Sequence, residues 1–395
     1  MDFLKEKIQL ITAFMLTIPW IISFFLKIHY PPQIEALISG FAVVGAAFLL
    51  SWASETAEMD VPRSLSLAVV ALLAVLPEYA VDAYFTWMAG KVGGEYIHYA
   101  TANMTGANRL LIGIGWSIVM FIAIFKSKKR YVELDDSLNL EIFFLFIATL
   151  YSFILPIKDS ISLMDSFVFV SLYILYVFLA YKAEHEEFEP EGVPKFICQL
   201  ETRTRRFIVM FLMIFAAFVI FISVEAFSEG LLGTAKMWGI DEFLVVQWIA
   251  PLASESAEFI VAIYLVKKMR VSAGLNALIS SKVNQWTLLI GTLAVVYSIS
   301  LMEIAALPLD VRQRGEIFLT AAQSLFATAL ILDKRVTLWE AFSLFFLFLV
   351  QIAFPSVEVR YLISLIYLIL AIFVLMKNKK YIPITFEYVK TLATR

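Results

Sequence analysis

The 395-residue sequence is poor in the residues on which soluble enzyme chemistry most often relies. One cysteine, Cys198, excludes an internal disulfide. Three histidines, at 29, 98 and 185, do not support a His-based metal site. The zinc-protease pattern H-E-x-x-H is absent, as is the G-x-S-x-G of serine hydrolases. Charged residues make up only 16% of the chain, against about 25% in a soluble domain. A net charge of −3, with no basic cluster interleaved with aromatics, argues against a nucleic-acid partner. No catalytic residue and no cofactor is expected.

What the sequence has in abundance is apolar length. It is 61% hydrophobic, with 35 phenylalanines and a mean hydropathy of +0.84. Runs of 18 or more apolar residues read as membrane spans. Twelve are expected, near 8–26, 35–57, 64–89, 97–125, 139–156, 163–181, 206–235, 242–266, 271–302, 315–332, 337–354 and 358–376. The first apolar run, about 19 residues with no A-x-A site behind it, reads as a retained span rather than a signal peptide. Lysines and arginines of alternate loops total 22 on one side and 7 on the other. The positive-inside rule then places both termini in the cytoplasm of a multi-pass protein of the cell membrane. The expectation is an all-α polytopic membrane protein whose partners are the lipid bilayer and inorganic cations. Nothing in the sequence fixes an oligomeric state.

The chain also repeats itself. "LEIFFLFIATLYSFILPIKDSISLMDSF" at 140–167 matches "GEIFLTAAQSLFATALILDKRVTLWEAF" at 315–342 with an offset of 175 and no gap. Glu141 meets Glu316, and Asp165 meets Glu340. "LPEYAVDAY" at 76–84 aligns with "SAEFIVAIY" at 256–264, and "NMTGANR" at 103–109 with "NALISSK" at 276–282. The expected organisation is an extra helix in 1–34, a first repeat at 35–181, a cytoplasmic loop at 182–205, a second repeat at 206–354, and a last helix with a tail at 355–395. Five spans per copy is an odd number, so the second copy inserts upside down. Inverted repeats of this kind build secondary transporters with the binding site near the midplane.

Polar residues inside the spans are the candidates for that site, because a charge at a span centre costs about 2.5–3.5 kcal/mol on insertion scales. Glu78 and Asp82 lie one helical turn apart, behind the helix breaker Pro77. Glu255 and Glu258 lie at the matching place of the second repeat, beside Ser254 and Ser256. The next span of each copy adds amide and hydroxyl oxygens: Asn103 and Asn108 in the first, Asn276 and Ser281 in the second. Carboxylates clustered with such oxygens suit a hard cation such as Ca²⁺, which takes six to eight oxygen ligands in loose geometry. Two bases, Arg109 and Lys282, align with each other directly after these motifs. They are expected to tune the charge of the site, by pairing with the additional acids or, for Lys282, by occupying the site. Glu55 and Glu229 align as interfacial acids, and the stretch "EHEEFEPE" at 184–191 reads as a solvated loop.

"LPEYAVD" followed by "NMTGAN" resembles the alpha-repeat signature of the sodium/calcium exchangers, within the cation/calcium antiporter superfamily. "ASESAEF" and "NALISS" are similar to a degenerate second copy, so the resemblance is to a divergent prokaryotic-type member. It covers roughly 35–354. It implies that Glu78 and Glu258 bind the exchanged ions and that Asn103 and Asn276 stand at the family's other central ligand position. Asp82 and Glu255 depart from the pattern, since the family carries small or hydroxyl residues there. The implied function is secondary antiport of Ca²⁺, or another divalent cation, against Na⁺ by alternating access. The alternatives are a proton-coupled cation exchanger or a cation channel.

Overall fold

The computed structural model describes residues 2–60, 75–183 and 190–394. In chain order the helices are α1 Asp2–Leu26, α2 Pro32–Ala57, α3 Leu76–Lys91, α4 Tyr96–Leu110 and, after a π-helical stretch at Leu111–Trp116, α5 Ser117–Ser127. Strand β1 Tyr131–Glu133, a short turn of helix at Asp136–Leu138, α6 Asn139–Ser152, α7 Leu155–Lys158, β2 Ser160–Ile161 and α8 Leu163–Lys182 follow. Then come α9 Val193–Cys198, α10 Thr202–Trp238, α11 Glu242–Ser254, α12 Ser256–Lys267, α13 Val271–Asn284, a second π-helical stretch at Gln285–Leu289, and α14 Ile290–Leu301. The chain closes with β3 Leu307–Pro308, α15 Val311–Ile331, β4 Arg335–Thr337, α16 Leu338–Ala353, α17 Val357–Asn378 and α18 Ile382–Thr394.

Every expected span coincides with helix, although only the part of 64–89 from Val75 onward lies within the described residues, as does only the end of the 184–191 loop. Among the described residues, eight helices are long and apolar enough to cross a membrane, or nine with the broken pair α11 and α12. Helix α15 is different in kind. Its Gln313, Glu316, Thr320, Gln323, Ser324 and Thr328 are all buried by protein. Hydropathy alone understates such a helix, because protein rather than lipid surrounds it.

Two compact units divide the chain, Met1–Phe85 with His185–Ala257, and Thr86–Glu184 with Glu258–Arg395. Each unit therefore draws on both repeats. In the first, α2 packs along α10, with α1 and α9 against α2. Small residues allow the close approach. A Cβ on Gly45 would lie 2.5 Å from the Ala13 carbonyl, and one on Gly230 would lie 2.7 Å from the Ala36 nitrogen. Trp20 Nε1 donates to the Ile222 carbonyl at 3.0 Å. Beyond the end of α2, Asp60 takes Arg205 through two bonds of 2.6 and 2.8 Å, and Arg206 at 3.2 Å.

The second unit shows the repeat as crossed packing. Helix α4 of the first copy lies on α15 of the second, and α13 of the second lies on α6 of the first. In the same way α16 packs on α5, and α8 on α14. The two small ribbons obey the same symmetry. Strand β1 pairs with β4 and β2 with β3, all antiparallel. An offset of 175 carries Ser160 of β2 onto Arg335 of β4, and Val132 of β1 onto Leu307 of β3. The helix starts match too. Ser162 with Asp165 caps α8, and Thr337 with Glu340 caps α16, each by a reciprocal capping box.

Candidate functional site

In the first unit the start of α3 and the break between α11 and α12 place the acids. Helix α3 begins at Leu76, so Pro77 falls in its first turn, where its missing N–H costs nothing. Glu78 follows in the same turn and Asp82 one turn later, each 2% exposed. In the second repeat α11 ends at Ser254, and the Glu255 N–H closes its last turn onto the Pro251 carbonyl at 2.9 Å. Glu255 is 1% exposed. Both copies thus start a helix at their acids, where the partial positive charge of the helix N-terminus favours a carboxylate. Tyr84, two residues beyond Asp82, donates to Glu229 at 2.6 Å, so Glu229 is not simply a solvated interfacial acid.

In the second unit Glu258 lies in the first turn of α12, and the Ser281 hydroxyl donates to it. Gln285 Nε2 donates in turn to Ser281 Oγ at 3.5 Å. Asn276 Oδ1 accepts from Ser280 at 3.4 Å. Asn103 is fully buried on α4. Asn108 is held from both sides: its amide nitrogen donates to the Met104 carbonyl at 2.8 Å, and its oxygen accepts from Lys282 at 2.6 Å. The Lys282 ammonium also sits 4.3 Å from the Trp286 ring centre. Asn108 and Lys282, aligned by sequence with different positions of the two copies, therefore meet each other.

A π-helical stretch directly follows each motif, Leu111–Trp116 after Arg109 and Gln285–Leu289 after Lys282. Single π turns inside α-helices recur at functional sites. Their symmetric placement marks the same break in both copies, and no sequence periodicity announces it.

Sequence reasoning assigned Arg109 to the extra acids. The structure gives it a partner left out of the candidate set, Glu316, at 2.5 Å. Arg360 Nε holds the other carboxylate oxygen at 3.0 Å, and its Nη1 donates to the Gln351 carbonyl. Gln351 Oε1 accepts from Arg109 Nη1 at 3.2 Å. All three charged groups are 1% exposed or less. Arg360 is accordingly no loop residue, and its removal from the less basic side of the charge count sharpens the asymmetry. The offset of 175 already singled out Glu316. What the repeat does not reveal is the pairing: Arg109 aligns with Lys282 rather than with Glu316, and Arg360 lies outside both copies.

Among the described residues no group of three or more His, Cys, Asp or Glu is arranged to hold a metal ion. The acids, amides and hydroxyls above lie at helix starts and beside π-helical stretches in two inverted copies, the arrangement of a secondary cation transporter. The sodium/calcium exchanger protein family matches residues 35–182 and 208–357. The chain belongs to that family and is a multi-pass membrane antiporter. Over its full length and the full length of the match it is 63% identical to the protein in the crystal structure of the H⁺/Ca²⁺ exchanger CAX, with a TM-score of 0.96. The fold also resembles the sodium-calcium exchanger NCX_Mj soaked with Na⁺ and Sr²⁺, at 17% identity, 86% and 98% coverage of the two chains and a TM-score of 0.53. The same exchanger soaked with Na⁺ and zero Ca²⁺ gives 17%, 87%, 99% and 0.54. No curated protein sequence matches.

Proposed function

We propose that the protein exchanges Ca²⁺ for H⁺ across the cell membrane by alternating access, with both termini on the cytoplasmic side. The observation that carries this reading is the full-length similarity, at 63% identity, to the H⁺/Ca²⁺ exchanger CAX. Glu78 and Glu258 are the carboxylates for which the two ions compete. Two glutamates that hold one Ca²⁺, or two protons, keep the same net charge in either state, so neither half-cycle leaves an uncompensated charge in a low-dielectric site. Asn103, Asn276 and Ser281 add neutral oxygens of the kind Ca²⁺ accepts. Asp82 and Glu255 are additional acids beside these ligands. Asn108 is engaged with Lys282 and acts through it as a charge-tuning element, as Arg109 does through Glu316.

Sodium is the second reading for the counter-ion, favoured by the family match. The test uses purified protein in liposomes without an ionophore for Ca²⁺. An acid-inside pH gradient is expected to drive Ca²⁺ uptake at equal Na⁺ on both sides. Uptake driven only by a Na⁺ gradient would transfer the assignment to Na⁺. Dissipation of Ca²⁺ gradients without any counter-flow would point to a channel.

A further inference from the structure

Glu141 and Glu316 occupy the same position of the two copies, yet their surroundings differ in kind. Glu316 is clamped between Arg109 and Arg360. Glu141, on α6 and 7% exposed, has no ion pair among the described residues. One of its oxygens accepts from Tyr176 Oη at 3.2 Å, and the other, Oε2, has no hydrogen-bond partner there. Tyr176 Oη lies 3.3 Å from Ser280 Oγ, and Ser280 donates to Asn276 Oδ1 at 3.4 Å. A continuous line of hydroxyls therefore joins a buried carboxyl to a residue of the proposed ion site.

We infer that Glu141 is a proton-binding site that sets Ca²⁺ affinity through the orientation of this hydroxyl line. The inference rests on the reading of Asn276 as an ion ligand. When Glu141 is ionised, the single Tyr176 proton points to it, and Ser280 can turn its own proton to Tyr176 Oη. The Asn276 oxygen then faces the cation unencumbered. When Glu141 carries a proton, that proton is donated to Tyr176 Oη. Tyr176 must then donate to Ser280, and Ser280 to Asn276 Oδ1. No bond other than O–H is made or broken, and one proton enters or leaves at Glu141. The amide oxygen that would bind Ca²⁺ is thereby committed to a hydrogen bond. Hydroxyls have one donor each, so the direction at one end fixes the direction at the other.

The surroundings leave Glu141 to titrate against this line. Helix α8 supplies Tyr176 and, on the same element, Tyr173. Helix α18, which also packs on α6, carries Tyr388. Charged groups on the elements packed on α6 are engaged by others, among them Arg314 of α15 by Asp159 at 2.6 Å. Glu316 is held by Arg109 and Arg360, Lys282 by Asn108, Asp165 by Lys158, Asp136 by Lys334, Glu387 by Lys390, and Lys182 by the Ala393 carbonyl.

The test is Ca²⁺ binding to purified full-length protein in detergent over a series of pH values, for the wild type, Glu141→Gln, Tyr176→Phe and the double variant. Glutamine donates to Tyr176 as the protonated acid does. Glu141→Gln is expected to bind Ca²⁺ about threefold to tenfold more weakly at the alkaline end, the range of one hydrogen bond, and to show a shallower pH profile. Tyr176→Phe cuts the line, so its profile is shallower too, and adding Glu141→Gln to it changes nothing further. Superposition of the Glu141→Gln profile on the wild type overturns the inference, as does an undiminished effect of Glu141→Gln in the Tyr176→Phe background. If Glu141→Gln does not fold, Tyr176→Phe alone decides, because a wild-type profile in that variant overturns the inference. These outcomes leave the proposed exchange standing if a pH gradient still drives wild-type uptake. Wild-type binding that ignores pH overturns both.

Discussion

Arg109 and Glu316 meet at 2.5 Å, with Arg109 fully buried and Glu316 1% exposed. Arg360 completes the cluster from a helix outside both repeats. Burying charge is costly unless it is paired, and removing one member leaves the others uncompensated. Glu316→Gln leaves two guanidinium groups without their carboxylate and is expected to cost about 3–5 kcal/mol of stability. Arg360→Met keeps the Arg109–Glu316 pair and should cost less. Thermal unfolding of the two variants in the same detergent checks the order. An Arg360→Met loss as large as that of Glu316→Gln would contradict this order.

The ion cluster at Asp60 gives a pH dependence of definite sign. Arg205, hydrogen-bonded to it, and then Arg206 hold the Asp60 carboxyl below the usual aspartate value despite partial burial. A folded-state value below that of the unfolded chain contributes stability that is fully present above the unfolded value, about 3.9. That contribution is lost as pH falls through the lower folded value. The difference in melting temperature between wild type and Asp60→Asn should therefore be constant from neutral pH down to about 4, then shrink in stronger acid. A difference that grows on acidification would contradict the pairing.

Crossed packing in the second unit predicts an intolerance to one added methyl group. A Cβ on Gly113 would lie 2.1 Å from Cγ of the buried Phe348 on α16. Gly113→Ala is expected to destabilise by about 1–3 kcal/mol, the range for overpacking. Phe348→Ala should relieve the clash, so the double variant should be less destabilised than the sum of the two single changes. Additive losses would show that the two helices are not in contact.

Much of this was legible in the sequence. Span positions follow from hydropathy because lipid demands apolar length wherever it touches the chain, and the ungapped match at offset 175 follows from copied strands and caps such as Ser162 with Asp165 and Thr337 with Glu340. The acids of α3 and α12 stand out because charge inside a span is rare. Other features depend on which helix faces which, and one-dimensional patterns do not carry that. Arg360 looked like a loop base because it opens α17, and only packing against α15 puts it beside Glu316. Asn108 looked like an ion ligand until Lys282, from the other copy, came within hydrogen-bond distance. The π-helical stretches have no sequence signal of their own.

Lys282 offers a test of charge tuning. Its ammonium engages the Asn108 oxygen and the Trp286 ring. Lys282→Met removes a positive charge and releases that oxygen. Ca²⁺ is expected to bind more tightly, by roughly tenfold if about 1.4 kcal/mol of repulsion is relieved. Ca²⁺ titration of the folded variant measures it. Unchanged or weaker binding would place Lys282 in a purely structural role.

The most direct measurement is acid-driven Ca²⁺ uptake in liposomes by Glu78→Gln and Glu258→Gln, each compared with wild type at equal amounts of folded, reconstituted protein. If the two carboxylates are the groups for which Ca²⁺ and H⁺ compete, each variant falls at least a hundredfold, because a neutral amide neither releases a proton nor balances the cation (about 2.7 kcal/mol or more in the rate-limiting step). Wild-type uptake in either folded variant would contradict the assignment.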